Sequence, residues 1–167
     1  MIKDSGERRE FSTGAVRDMG ENGRKGRCDL LPLEVIGCFC TDRVLILIGK
    51  FIYNNDPQDL WEAVSIFMDN FPGKDDTERF CTAMLEVALH YEEGCQKYGE
   101  RNWEKGIPLH CYIDSGVRHY LKFRRGDNDE RHDRAFIWNM LGAIWTLSNH
   151  PELNDLPKKE VTPDENH

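Results

Sequence analysis

The chain of 167 residues is long enough for one domain with a single hydrophobic core. Apolar residues make up 39% of it and charged residues 31%, which is typical of a soluble protein with a charged surface. The net charge of −8 argues against non-specific nucleic-acid binding, which needs a basic surface. Residues 1–27 lack the apolar run of a signal peptide, and the longest apolar stretch is too short to span a membrane. We therefore expect a cytoplasmic protein without a nucleic-acid or membrane partner.

Six cysteines are present and none forms a CxxC motif. The chain lacks the small, loop-rich, secreted character of a disulfide scaffold. We expect free thiols in a reducing cytosol, and a cysteine nucleophile or a zinc site is the alternative.

The first 32 residues are polar and rich in glycine. Residues 1–12 are expected to be mobile. Residues 13–32 contain four glycines together with Arg17, Lys25 and Arg27. This composition is typical of a basic loop, and a backbone cradle for an anion is the alternative.

Helical periodicity dominates the rest of the chain, and neither an internal repeat nor a hairpin signal is present. A buried helix is expected from about 30 to 53, although the β-branched run Val44–Ile48 leaves a strand possible. Further helices are predicted at about 58–71, 77–98, 109–123 and 130–147. The sequence thus predicts an all-α bundle of four main helices and a short extra one over residues 1–150, followed by a polar tail at 151–167.

Polar residues crowd the helices on either side of residue 100, where a packed core is expected. Carboxylate oxygens on facing helices suit Mg²⁺ or Mn²⁺, and nearby cations suit phosphate groups. A second such cluster covers residues 127–139, and we interpret the two as halves of one metal and phosphate site. A solvated helix face is the alternative for several of these acids. The first cluster contains Glu92, Glu93, Lys97, Asp114, Arg118 and His119.

His132 and Asn139 are seven residues apart, which places them on one helix face over two turns. This spacing fits a metal or base-recognition face, and it fits a hydrogen-bonded pair near the core equally well.

Several segments resemble the dATP/dGTP diphosphohydrolase family, the MazZ-type branch of the all-α, MazG-like nucleotide pyrophosphatases. The resemblance covers about residues 11–32 and 88–147. Residues 41–78 look longer than in short family members and are interpreted as an insertion with an extra helix. The matching segments are TGAVRD (13–18), KGRCDLLP (25–32), YEEGCQKYGERNWEKGIPL (91–109), YIDSGVRHYLKF (112–123) and the pattern of His132 with Trp138 and Asn139.

The resemblance implies hydrolysis of a purine deoxynucleoside triphosphate to the monophosphate and pyrophosphate, by metal-activated water at the α-phosphorus. It implies an ExxE-type and an ExxD-type acid pair on two helices. Glu92 and Glu93 begin the first pattern, but Gln96 stands where a third acid is expected. Glu130 and Asp133 have the residue types and the spacing of the ExxD pattern.

The roles inferred from this resemblance concern three groups of residues. Metal ligands are Glu92, Glu93, Asp114, His132 and Asn139. Catalytic residues are Glu92, Asp114 and Lys97. Substrate contacts are Arg17, Lys25, Arg27, Lys97 and Arg118 to the phosphates, with Asn102 and Trp103 against the nucleoside. For Trp103, a loop anchor packed on the bundle is the alternative.

The resemblance also implies a homo-oligomer, a dimer or tetramer, and a setting in phage nucleotide-pool remodelling within the host cytoplasm. A non-catalytic purine-nucleotide-binding module is the alternative function, which Gln96 keeps open. A triphosphohydrolase of the HD type is a further alternative, because His132 and Asp133 spell HD.

Overall fold

The protein is described by a computed structural model that covers residues 6–19 and 25–157. Helices make up most of this part of the chain, which confirms the all-α prediction. Two short antiparallel strands are β1 (Arg8–Glu10) and β2 (Val16–Asp18). None of the described helices is long and apolar enough to cross a membrane. The helices are α1 (Leu33–Cys40), α2 (Arg43–Asn54), α3 (Pro57–Met68), α4 (Asp76–Tyr98), α5 (Leu109–Arg125) and α6 (His132–Asn149).

The prediction of a single helix at 30–53 is wrong, because this segment forms two helices, α1 and α2. Thr41 takes a left-handed conformation with φ 56° and ends α1. Asp42 then caps α2, since its side chain accepts a hydrogen bond from Leu45 N at 3.1 Å. The bundle therefore has six α-helices in the described residues rather than four and a short one. Both α2 and α3, in the segment interpreted as an insertion, contribute buried side chains to the core.

The long helix α4 begins and ends where its sequence predicts. Asp75 accepts a hydrogen bond from Glu78 N, and Glu78 in turn accepts one from Lys74 N, each at 2.9 Å. This reciprocal arrangement resembles a capping box. Gly99, with φ 89°, follows the last helical residue. The 23 residues between these ends carry side chains from the core to the site.

Helices α5 and α6 pack closely because each has a glycine at the contact. A Cβ atom at Gly116 would lie 2.3 Å from Met140 Cε, and one at Gly142 would lie 2.3 Å from Tyr112 Cε1. No larger residue fits at either position without displacing its neighbour. This close approach brings the polar side chains of the two helices together farther along the pair.

The structure also contains a β-hairpin, although the sequence shows no hairpin signal. Strands β1 and β2 pair in the register Arg9 to Arg17, and Ala15 between them is fully buried. Residues 6–12, expected to be mobile, thus include a strand, and residues 1–5 lie outside the described chain. In the segment interpreted as a polar tail, Leu156 is only 6% exposed. Residues 158–167 of that segment are likewise outside the described chain.

Candidate active site

Two neighbouring cavities lie where the β1–β2 hairpin crosses α4, α5 and α6. The first, which we term the aromatic pocket, has a volume of about 140 Å³ and is walled by Tyr91, Tyr98, Trp103 and Trp138. The second, the cation groove, has a volume of about 610 Å³. Its basic side chains are Arg9, Arg17, Lys25, Arg27 and Arg118. Both cavities are lined by Arg17, Asp18, Lys25 and Ser115, so they adjoin each other.

The hairpin is held over the helices by Asn102, which lies in a short 3₁₀ turn at Asn102–Lys105. The Asn102 carboxamide accepts a hydrogen bond from Val16 N at 3.0 Å and donates one to Val16 O at 2.9 Å. Asn102 is 7% exposed, so its amide acts as a further strand partner for β2. Thr13 adds a hydrogen bond from its hydroxyl to Gly106 O at 2.7 Å. These contacts fix the side of both cavities that β2 supplies.

Arg17 connects the hairpin to both helices of the close pair. Its guanidinium donates to Cys111 O at 2.9 Å and to Asn139 Oδ1 at 2.7 Å. It also lies over the rings of Tyr112 and Trp138, at 5.3 and 5.6 Å from their centroids. Asn139 completes the arrangement by donating to Ala135 O at 2.8 Å. Both oxygen and nitrogen of the Asn139 amide therefore have protein partners.

Asp114 and Arg118 hold the chain segment that begins at residue 25. The Asp114 carboxylate accepts hydrogen bonds from Cys28 N at 2.7 Å and from Arg118 Nη2 at 2.5 Å. Arg118 also donates to Gly26 O at 2.7 Å. Lys25 enters both cavities, and partial burial lowers the pKa of its amine. Arg27 lines the groove while pairing with Asp29 at 2.5 Å.

The acids at the end of α4 do not share one environment. Glu92 is exposed and lies outside both cavities in the protomer. Glu93 is turned towards α6, where it pairs with the buried Arg134 at 2.7 Å. Lys97 pairs with Asp18 of β2 at 3.2 Å, and both side chains are largely buried. Glu92, Glu93 and Asp114 therefore do not meet at a common point in the protomer.

A different set of ligating groups converges between α5 and the start of α6. Ligand atoms of His119, Glu130 and His132 all lie within 4.8 Å of one another. His119 Nδ1 and His132 Nδ1 are 2.9 Å apart, and His132 Nε2 is 2.9 Å from Asp129 Oδ1. Burial, and then the neighbouring His132, hold the pKa of His119 well below its usual value, so its ring is neutral at pH 7. His119 and Glu130 also line the aromatic pocket, which places this cluster at its wall.

A third histidine faces the same pocket. Burial, and then the charge of Arg134, lower the pKa of His90 to about 4. Its Nδ1 atom is buried and has no hydrogen-bond partner among residues 6–19 and 25–157. The pocket is therefore lined by neutral imidazoles as well as by aromatic rings.

Residues 74–156 match the family described as dATP/dGTP diphosphohydrolase, N-terminal. The chain belongs to this family. The match covers about half of the sequence, including the KYGERNWEKGIPL segment and the His132 region, and leaves the hairpin outside. Comparison with curated proteins and with solved structures finds no significant match. As a member of this family the protein is an enzyme, so the non-catalytic module is set aside.

The structure brings most of the site residues predicted from the sequence to one place. The two cavities together are lined by Arg17, Lys25, Arg27, Asn102, Trp103, Asp114, Arg118 and Asn139. His132 lies beside them through its contact with His119. Glu92, Glu93 and Lys97 are not among the lining residues of either cavity.

Sequence reasoning gave no role to Tyr91, Trp138 or His90, and no ligand role to His119. The apolar pattern places Tyr91 on the buried stripe of the helix predicted at 77–98 and Trp138 on the apolar side of the helix predicted at 130–147, so both are expected in the core. The available signal was the motif itself, since Tyr91 and His119 both lie within the segments that carry the family resemblance.

Proposed function

We propose that the protein hydrolyses a purine deoxynucleoside triphosphate, dGTP or dATP, to the monophosphate and pyrophosphate by attack of water at the α-phosphorus. One observation carries the proposal: an aromatic pocket and a cation groove adjoin each other and share Arg17, Asp18, Lys25 and Ser115 as lining residues. A nucleotide has a flat aromatic base at one end and a chain of anionic phosphates at the other. The aromatic pocket suits the base, and the adjoining cation groove suits the phosphates.

The base would occupy the aromatic pocket. Tyr91 contacts both Trp103 and Trp138 edge to face, with ring centroids 5.5 and 6.0 Å apart. These contacts hold the rings apart, and the space beside them is lined by Asn102 and Asn139. Aromatic side chains stack well on any base, while amides and imidazoles can distinguish purine edges by hydrogen bonding. Trp103 thus serves both as a packed residue of the bundle and as a wall of the pocket.

The triphosphate would lie in the cation groove. Five basic side chains line it, against the carboxylates of Asp18 and Asp114. Each carboxylate has its own basic partner, Lys97 and Arg118 respectively. Arg17 is fixed by its bonds to Cys111 O and Asn139, so it can receive a phosphate without loss of side-chain entropy. Lys25 and Arg27 supply further positive charge to the groove.

A divalent cation, Mg²⁺ or Mn²⁺, is part of this proposal. Glu92, Glu93 and Asp114 do not fit as a joint ligand set within one protomer, because they do not converge. His132 does fit, since its ring faces His119 and Glu130 within coordinating distance. When bound, the ion would offset charge on the phosphates and lower the pKa of a coordinated water.

Product analysis with labelled water tests the reaction. The purified protein is incubated with each deoxynucleoside triphosphate and Mn²⁺ or Mg²⁺ in H₂¹⁸O, and products are resolved by anion exchange and mass spectrometry. We expect dGMP or dAMP carrying ¹⁸O, unlabelled pyrophosphate, and complete loss of turnover with chelator. Nucleoside with triphosphate would indicate the HD-type reaction instead, and label in pyrophosphate would place the attack at the β-phosphorus.

The proposed reaction would lower the cellular concentration of a purine deoxynucleotide and supply its monophosphate. A role in remodelling the nucleotide pool of a phage-infected cell extends the proposal. It predicts a clear preference for purine over pyrimidine substrates in the same product analysis, because the pocket is built from large rings.

A further inference from the structure

The cluster between α5 and α6 has the donor geometry of a metal centre that is rich in histidine. The two Nδ1 atoms of His119 and His132 are 2.9 Å apart. Two imidazole nitrogens bound to one ion at about 2.1 Å lie roughly 3 Å apart when the bonds are at right angles. Glu130 places a carboxylate oxygen within 4.8 Å of a ring nitrogen of each histidine. Three donors of two chemical types thus lie close enough together to bind one ion.

Asp129 orients His132 as a ligand. Its carboxylate lies 2.9 Å from His132 Nε2, within hydrogen-bonding distance. An ionised carboxylate can only accept, so His132 carries its proton on Nε2 and directs the lone pair of Nδ1 towards His119. Carboxylate–histidine pairs of this kind fix the tautomer of metal-bound imidazoles. His132 is 2% exposed, so its ring cannot reorient without disturbing the core.

A second set of groups, Asp127, Asp129 and His132, is also close enough to bind an ion. Its carboxylates already have basic partners, since Asp127 pairs with Arg125 and Asp129 pairs with Lys122. In this set His132 would have to bind through Nε2, the atom that contacts Asp129. The set around Glu130 avoids both conflicts.

We propose that His119, Glu130 and His132 form a metal centre selective for a transition ion such as Mn²⁺ or Zn²⁺ over Mg²⁺. Imidazole nitrogen suits these ions, whereas Mg²⁺ prefers an all-oxygen shell and retains its waters. His119 would carry its proton on Nε2 in the bound form, leaving both Nδ1 lone pairs for the ion. The catalytic use of the ion rests on the proposed function, whereas its binding is measurable without nucleotide.

The test is metal binding to the nucleotide-free protein, measured by calorimetry and by electron spin-echo spectroscopy of bound Mn²⁺. We expect one ion per protomer, at least tenfold tighter binding of Mn²⁺ than of Mg²⁺, and ¹⁴N couplings from histidine. Glu130→Gln and His119→Gln should each weaken Mn²⁺ binding at least tenfold. Asp129→Asn should weaken it by about 10- to 100-fold through His132. Asp127→Asn is the matched control and should change it less than twofold.

Several outcomes would overturn the inference. They are equal affinity for Mg²⁺ and Mn²⁺, bound Mn²⁺ without ¹⁴N couplings, or a loss in Asp127→Asn equal to that in Glu130→Gln. Circular dichroism and thermal unfolding of each variant identify a loss that is due to misfolding, and for a misfolded variant Glu130→Asp serves instead. Tight Mn²⁺ binding without nucleotide hydrolysis would reject the proposed function and retain the metal centre. Hydrolysis by the wild type, together with unchanged metal binding in Glu130→Gln and His119→Gln, would reject the metal centre and retain the proposed function.

Discussion

Arg17 is the residue on which the two halves of the candidate site depend. We expect Arg17→Lys to lower kcat/KM at least tenfold. A lysine keeps the charge but cannot bond both Cys111 O and Asn139 Oδ1 or stack between Tyr112 and Trp138. Arg8→Lys, on the exposed strand β1, is the matched control and should retain activity within twofold. Steady-state kinetics with dGTP and dATP measures both, and equal activity of the two variants would remove Arg17 from the site.

Glu92 carries the clearest disagreement between expected role and observed place. The family resemblance predicts that Glu92→Gln abolishes turnover and leaves the fold intact. In the protomer the side chain is exposed and apart from both cavities. Single-turnover kinetics on Glu92→Gln, with Glu100→Gln as an exposed control, tests whether Glu92 takes part in catalysis. Near-normal turnover would exclude Glu92 from the mechanism.

The helix face of α4 explains why its acids were difficult to place from sequence. The apolar pattern predicts a buried stripe of Phe80, Met84, Val87, Tyr91, Cys95 and Tyr98. Val87 is buried as expected, but Phe80 and Cys95 are exposed and Ala83 is buried instead. Short or weakly apolar residues such as Ala83 give a helix face little hydrophobic signal. The predicted and the observed buried faces therefore overlap at Val87 and differ at their edges, so the pattern alone does not decide which of Glu92 and Glu93 faces inward. By contrast, Asn102 and Trp103 lie in a loop motif whose recognition does not depend on helix phase.

At the level of elements, the break between α1 and α2 predicts the sign of the change in unfolding free energy that a substitution at Thr41 causes. Thr41 pays a steric penalty for its left-handed conformation, which a β-branched residue rarely adopts. We expect Thr41→Gly to stabilise the protein by about 0.5–1 kcal/mol, because glycine adopts this conformation freely. If residues 30–53 formed one continuous helix, the same change would destabilise it. Urea unfolding measures the difference, and Thr82→Gly inside α4 is a control that should destabilise.

The start of α5 and the chain after α6 are joined by His110. A hydrogen bond with Cys111 and, secondarily, one with Asp155 raise the pKa of His110 to about 9, against the effect of burial. His110 N also donates to Asp155 Oδ1 at 3.0 Å, which docks the segment that contains the buried Leu156.

This arrangement predicts a pH dependence of stability. The folded pKa of His110 lies above its unfolded value near 6.5, so its contribution is complete below pH 6.5 and is lost as the pH rises through about 9. The difference in unfolding free energy between wild type and His110→Gln should therefore shrink from pH 6 to pH 9.5. Urea unfolding at three pH values measures it, with Asp155→Asn expected to show part of the same effect. A difference that does not change with pH would contradict the assignment.

For the molecule as a whole, the sequence predicts the elements that are bounded by strong signals and fails where tertiary contacts decide. Helices α3, α4 and α5 lie within a few residues of their expected bounds, since Pro57, Gly99, Pro108 and Gly126 mark their ends. The β1–β2 hairpin was missed because its strands, RRE and VRD, are short and polar. Their pairing depends on Asn102, which lies 86 residues from Val16. The histidine cluster was only half anticipated for a similar reason, since the α5–α6 approach that creates it depends on Gly116 and Gly142.

The quaternary structure is the remaining prediction at this scale. Val35 and Phe39 lie four residues apart on α1 and form an apolar stripe, and they are 68% and 92% exposed. Contiguous apolar surface of this kind is unfavourable in water and commonly marks an interface between subunits. We expect a homodimer or homotetramer in which this stripe packs against a second copy. Light scattering after size exclusion should give two or four times the protomer mass, and Phe39→Glu should reduce it. Leu85→Glu, on the exposed face of α4, is the matched control and should leave the mass unchanged. A monomeric wild type would contradict the prediction, and dissociation by Leu85→Glu alone would move the interface to α4, where Glu92 lies.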